Sequence, residues 1–247
     1  MIETINNAGL SMTVYYIFHV LGFLCVLLFN IYYGKKYQIK PWKSIVTTLI
    51  VYSITYVWIY ILSWAESGFK AFGGNNIVRG YIYIPLIAFP VAKLLKIKWK
   101  SMCDFIAPCV CISQGISHFG CIFAGCCEGY SCAFGIYNPY VKDVLFPIQI
   151  FESLTGLTIV MLVFYRAYKQ QFKVDGLSYP FMLILYGFTR FFWEFGRNNE
   201  KILWGCSSLA FHALFMGICG VICVIILKKK MTKNNKKTKK KLRGKKA

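Results

Sequence analysis

The sequence predicts an all-α fold, a polytopic membrane protein of about seven transmembrane helices with its N-terminus outside and its C-terminus in the cytoplasm. Three observations carry that expectation. Of 247 residues, 57% are apolar, 18% aromatic and 15% charged, and the mean hydropathy is +0.52, well beyond a soluble domain. The apolar residues gather in runs such as Met12 to Tyr33, each near the roughly 20 residues that a hydrocarbon core requires. The net charge of +20 is unevenly placed, because residues 228–247 hold 12 Lys or Arg and no acid, leaving +8 for the first 227. A soluble enzyme and a disordered nucleic-acid binder are both excluded. The chain divides into a membrane unit, 1–227, and a disordered polybasic tail, 228–247.

The first span, 11–33, stops at Gly34-Lys35-Lys36. Lacking a basic leader and an Ala-x-Ala site, it reads as a retained helix, not a cleaved signal peptide. The second, 43–64, closes at Ala65-Glu66-Ser67-Gly68, and the third, 78–95, is interrupted by Pro85 and Pro90. After Lys98-Trp99-Lys100-Ser101 comes the fourth, 103–125, with Pro108 and several glycines. A Gly/Asn/Pro-containing stretch, 129–146, leads to the fifth, 147–166; Lys173 to Gly176 leads to the sixth, 177–195; and Gly196-Arg197-Asn198-Asn199 leads to the seventh, 205–227. Basic residues check the count: 23 of the 29 fall in loops one, three and five plus the tail, and only Lys70, Lys142, Arg197 and Lys201 fall on the opposite side. Positive-inside alternation therefore closes with seven spans and fails with six or eight. The tail is expected to lie against anionic lipid headgroups rather than nucleic acid. No internal repeat of 20–50 residues is visible.

Charged groups at membrane depth cost about 2.5–3.5 kcal/mol each on insertion scales, so those present need partners or a task. On the predicted topology Tyr15 and His19, Arg79, His118, Gln149 and Glu152, and Arg190 and Glu194 all fall in the outer third of the membrane. Arg190 and Glu194, at i and i+4, can pair, and snorkelling would account for an isolated arginine. Convergence of so many polar groups at one depth points instead to a site handling something charged. Lone His19 and His212 read as satisfied structural histidines.

Of the 11 cysteines, Cys25, Cys109, Cys111, Cys219 and Cys223 sit in apolar runs and read as small hydrophobes. Cys121, Cys126, Cys127 and Cys132 cluster around Gly120, Gly125 and Gly129, one turn beyond His118. Four readings stand side by side: a disulfide such as Cys127 with Cys132, a metal site with His118, a thiol nucleophile activated by His118, and close packing of small residues. The Cys-x4-Cys-Cys spacing matches no zinc-ligand pattern, so no metal and no cofactor are expected.

Several segments carry a resemblance. Cys103-Asp104-Phe105-Ile106-Ala107-Pro108, followed by Gly115-Ile116-Ser117-His118-Phe119-Gly120-Cys121 and Ala124-Gly125-Cys126-Cys127-Glu128-Gly129, is similar to the signature region of bacterial prolipoprotein diacylglyceryl transferases. Phe146-Pro147-Ile148-Gln149-Ile150-Phe151-Glu152 resembles that family's His-Pro-Ser-Gln-Leu-Tyr-Glu stretch, and Tyr186-Gly187-Phe188-Thr189-Arg190 through Glu194 and Arg197 resembles its Tyr-Gly-x-x-Arg-x-x-x-Glu-x-x-Arg stretch. Tyr15 and Gly22-Phe23 add a weaker match. The resemblance implies a multi-pass enzyme of the bacterial plasma membrane that moves the diacylglyceryl group of phosphatidylglycerol to the lipobox cysteine of a prolipoprotein signal peptide.

Carried over by position, the resemblance makes His118, Arg190 and Glu194 catalytic, with Arg190 on the headgroup phosphate. Tyr15, Arg79, Gly120, Cys121, Gly129, Gln149, Glu152 and Arg197 would form the substrate site, Arg197 at its mouth. Arginine suits a phosphate, being always charged and bidentate. The family's His-Gly-Gly stands here as Arg79-Gly80-Tyr81, and its span-four arginine, asparagine and glutamate stand as His118, Cys121 and Cys126. Base and cation have then exchanged places, or the chain is a divergent branch with another acceptor or a non-catalytic lipid binder. A thiol redox or metal-binding membrane protein is the remaining alternative.

Overall fold

The computed structural model describes residues 8–66, 68–70, 80–138 and 140–243. Seven helices account for most of them: α1 (Ala8–Lys36), α2 (Pro41–Glu66), α3 (Ile84–Leu94), α4 (Trp99–Ala124), α5 (Ile148–Lys169), α6 (Ser178–Glu194) and α7 (Ser208–Arg243). Five of these, α1, α2, α4, α5 and α7, are long and apolar enough to cross a membrane. The chain is a multi-pass membrane protein. The third expected span holds helix at Gly80 and Tyr81, a turn, and then the 11-residue α3, with Pro85 in its first turn, where proline is tolerated, and Pro90 in its interior. Helix α6 has 17 residues. Helix α7 carries the basic run with it as far as Arg243, where composition alone predicts disorder.

Helix α4 is the centre of the bundle. It packs on α1, α3, α5 and α6, and 78% of its most apolar stretch is buried against 11% for α1. Lipid tails are as apolar as leucine side chains, so helices in a membrane associate through close packing, and small residues allow it. Gly120 of α4 shows this: a Cβ there would lie 2.9 Å from Phe18 Cβ and 3.1 Å from the Tyr15 carbonyl of α1. Gly187 does the same for α6 and α7, since its Cβ would meet the Gly217 nitrogen and the Ala213 carbonyl.

At the lysine-rich end, buried Asp104 of α4 fixes the start of α6. Its carboxylate accepts hydrogen bonds from the backbone N–H groups of Asp175 (3.0 Å) and Gly176 (2.8 Å) in the approach to the helix and of Ser178 (3.0 Å), the last a donor that a helix start leaves without a partner. Asp175 in turn meets Arg166 of α5 at 2.5 Å.

The opposite end adds structure that helical periodicity did not reveal. Residues expected as a plain connection form an antiparallel hairpin, β1 (Ser131–Asn138) with β2 (Asp143–Leu145), pairing Tyr137 with Val144 and Asn138 with Asp143. A bridge between Gly129 and Arg197 and a hydrogen bond from Asn198 N–H to the Glu128 carbonyl (3.2 Å) tie the segment after α4 to the segment after α6. Tyr130, Phe146, Phe151 and Trp193 stack in series at 5.2–5.4 Å. The elements of the site are thus clamped from above.

Candidate active site

Glu152, one turn into α5 and almost fully buried, is the hub. Its carboxylate receives Arg197 in a two-point contact, Nε to Oε1 at 2.9 Å and Nη2 to Oε2 at 2.5 Å. Arg190 Nη1 approaches Oε1 at 3.0 Å and His118 Nδ1 approaches Oε2 at 3.0 Å. Arg190 Nη1 also pairs with Glu194 Oε2 at 2.6 Å, the expected i, i+4 contact. Glu194 Oε1 accepts from Ser207 Oγ at 2.7 Å and from Asn199. Two carboxylates thereby balance two guanidinium groups when His118 is neutral. Each charge has an opposite charge beside it, and Glu152, Glu194 and Arg197 are hydrogen-bonded as well, whereas Arg190 is held by ion pairing with its Nε and Nη1 lacking hydrogen-bond partners among the described residues.

A chain of hydrogen bonds sets the tautomer of His118. Gln114, one turn earlier on α4, accepts from Tyr81 Oη at 2.5 Å and from Tyr186 Oη through its Oε1. The hydroxyl donors fix the carbonyl end, so the amide nitrogen must face His118, and it stands 3.4 Å from Nε2. An N–H directed at Nε2 requires a lone pair there, placing the ring proton on Nδ1 toward Glu152. A carboxylate behind the imidazole and an unprotonated Nε2, which accepts from the Gln114 amide until an acid displaces it, are the parts of an oriented general base.

A cavity of about 550 Å³ borders this cluster. Its long wall, from Asn30, Thr47 and Val51 past Ile59, Ile106 and Val110, is largely apolar, and its end is formed by Ser117, His118, Cys121, Cys126, Cys127, Arg197 and Asn199, with Tyr15 alongside. The Ser117 hydroxyl and Arg190 Nε are buried without hydrogen-bond partners among the described residues.

Cys121, Cys126 and Cys127 carry their sulfur atoms within 4.8 Å of one another. The fold explains this through Gly125, whose left-handed φ of 64° ends α4 and folds the chain back. The N–H groups of Gly125 and Cys126 both return to the Cys121 carbonyl, the latter at 3.2 Å. The Cys127 thiol is held well below its ordinary value, first by hydrogen bonds from Cys121 and Cys126 and then by the charges of Arg197 and His118. Cys132 is elsewhere, on β1, with its thiol donating to the Phe134 carbonyl at 2.5 Å, and all four cysteines are free thiols. The Cys127–Cys132 disulfide is therefore not formed.

Most residues singled out from sequence converge, with corrections. Arg197, expected at the mouth, is 7% exposed and doubly bonded to Glu152, because the Gly129 bridge pulls the end of α6 inward. Arg190, expected on a phosphate, does not line the cavity; both carboxylates occupy its Nη1. Gln149 tethers the cysteine turn by donating to the Cys126 carbonyl at 2.9 Å and does not line the cavity. Gly120 and Gly129 serve close backbone approach to Tyr15 and Phe146. Arg79 lies outside the described residues. Sequence reasoning missed Gln114, Tyr81, Tyr186, Asn199 and Ser207. A glutamine at i−4 from a histidine inside an apolar run was a usable signal for the first.

A bundle of apolar helices with a paired ionic cluster at the end of a cavity with a largely apolar wall defines a membrane protein whose site suits an anionic amphiphile. A family model described as prolipoprotein diacylglyceryl transferase matches residues 3–227. The chain belongs to that family of transferase enzymes. Among its relatives, phosphatidylglycerol–prolipoprotein diacylglyceryl transferase 2 of Clostridium perfringens is 28% identical over 191 residues, covering 73% of each chain. Those of Finegoldia magna and Clostridium tetani are 26% and 28% identical, covering 67% and 65% of this chain and 66% and 65% of their own.

Proposed function

We propose that the chain transfers the diacylglyceryl group of phosphatidylglycerol to the cysteine thiol of a prolipoprotein lipobox, in the bacterial plasma membrane. The observation that carries this reading is the Glu152-oriented His118 beside Arg197 at the end of a cavity with a long apolar wall. The acyl chains and glyceryl group occupy that wall, and Arg197 with Asn199 receives the phosphate. His118 Nε2 takes the acceptor's thiol proton. The sulfur then attacks the glyceryl carbon that bears the phosphate oxygen, the C–O bond breaks, and glycerol phosphate leaves with the proton. Arg190 and Glu194 are positioning residues that hold Glu152 and the segment after α6. In the family's arrangement a different histidine is the expected base, so His118 acts here in its stead.

Seven segments cross the membrane in this proposal, α3, whose 11 residues reach about 16 Å, being only part of the third, 78–95. Helix α6, at about 1.5 Å per residue, reaches about 25 Å, and the hairpin and clamped loops cover the difference at the outer surface. Support comes from the distribution of basic residues, which closes only with an odd count, N-terminus outside. Residues 228–247 follow the membrane unit as a basic cytoplasmic extension against anionic lipid.

Complementation tests the whole reading. In bacteria depleted of their own diacylglyceryl transferase, this chain should restore lipoprotein processing and its His118→Ala variant should not. Restoration by His118→Ala would remove His118 as base, and failure of the wild-type chain, inserted at normal levels, would remove the activity.

A further inference from the structure

The mechanism leaves three thiols unused on the cavity wall. The turn that gathers them is costly, because Cys127 is held at a φ of 58°, and a residue other than glycine pays roughly 1–2 kcal/mol there. In that turn the Cys127 sulfur lies beside those of Cys121 and Cys126. Zinc bonded to sulfur at about 2.3 Å places tetrahedral thiolates about 3.8 Å apart. The present limit of 4.8 Å thus needs a closure of roughly 1 Å, within reach of side-chain rotation. Three thiolates on a dication leave one net negative charge, and the Arg197 guanidinium, bonded to Glu152, also lies against Cys127 and favours negative charge there. Gln149 holds the turn through the Cys126 carbonyl, the kind of outer support that orients ligands. The sequence spacing named no metal because it is Gly125, and not a pair of cysteines on one helix face, that brings the ligands together.

We propose that Cys121, Cys126 and Cys127 form a three-thiolate site for a zinc-class ion, with its fourth position open to the cavity and taken by the thiol of the acceptor cysteine. The second part rests on the transferase reading. Binding forms a metal–sulfur bond as the S–H bond breaks and its proton passes to His118 Nε2, leaving the sulfur in its thiolate form with no change of oxidation state. Three protein ligands with an open fourth position is the arrangement of a reactive, not a structural, zinc site.

Cobalt(II) tests this in the full chain, reduced and in detergent. Expected is a thiolate-to-cobalt charge-transfer band saturating at about one ion per chain, reversed by zinc. The band should vanish in Cys126→Ser/Cys127→Ser and persist in Cys132→Ser. A lipobox peptide should then increase it, and the same peptide with serine for cysteine should not. Absence of the band while the three thiols titrate as free, or a disulfide among them in the isolated protein, overturns the site. A band indifferent to the cysteine peptide overturns the acceptor role. Transfer by a metal-free chain would overturn the acceptor role and leave both the transferase reading and the cobalt result on the site standing, whereas cobalt loading in a chain that never transfers would keep the site and overturn the transferase reading.

Discussion

Glu152 holds three cationic or donor groups at once, and its replacement shows what a single residue contributes. In Glu152→Gln the amide offers one acceptor where two oxygens served Arg190, Arg197 and His118, and two guanidinium groups lose a buried counter-charge. We expect a loss of about 3–5 kcal/mol in stability, read as a lowered midpoint in detergent unfolding, together with loss of transfer. His118→Ala separates chemistry from folding. It should reduce transfer by roughly 10²–10⁴-fold, the range of a general base, with a near-normal unfolding midpoint; equal losses in both variants would make His118 structural. The residues of this cluster were legible one by one, since ionisable groups inside apolar runs stand out. Their partners were not: sequence puts Arg190 on the substrate, whereas folding spends its Nη1 on Glu152 and Glu194.

At the scale of elements, the site depends on how closely α1 approaches α4 and where α6 begins. Gly120→Val should force α1 away from α4, given Phe18 Cβ at 2.9 Å from the would-be Cβ, and cost about 1–3 kcal/mol as overpacking. Unfolding midpoints compared with Gly68→Val, whose φ of 64° makes it strained but whose surroundings are open, distinguish packing from backbone effects. Asp104→Asn removes one of two oxygens that receive three N–H groups. It should cost about 1–3 kcal/mol and loosen the start of α6, seen as faster amide exchange at 175–178. Five long helices were readable because 20 apolar residues are a strong signal. The third span was read as well, over 78–95, but not the bounds of the short α3 within it, since Pro85 and Pro90 blur them. The hairpin went unseen because its exposed aromatic residues mimic neither helical nor clean strand alternation, and the cysteine turn because one glycine's left-handed φ has no periodicity at all.

For the whole molecule, the basic residues mark one end of the bundle. The lysine-rich loops lie where Asp104 caps α6, and the Glu152 cluster lies at the other end. If the proposed orientation holds, single cysteines placed at Lys40 or Lys98 in intact cells should resist a membrane-impermeant maleimide, while one placed at Lys142 should react; the opposite pattern would invert the topology. The most direct measurement of the central claim is transfer itself: the purified chain in phosphatidylglycerol vesicles with a lipobox peptide. The account predicts a thioether-linked diacylglyceryl peptide and stoichiometric glycerol phosphate, both lost in His118→Ala. Saturable phosphatidylglycerol binding by the wild-type chain with neither product formed would contradict it.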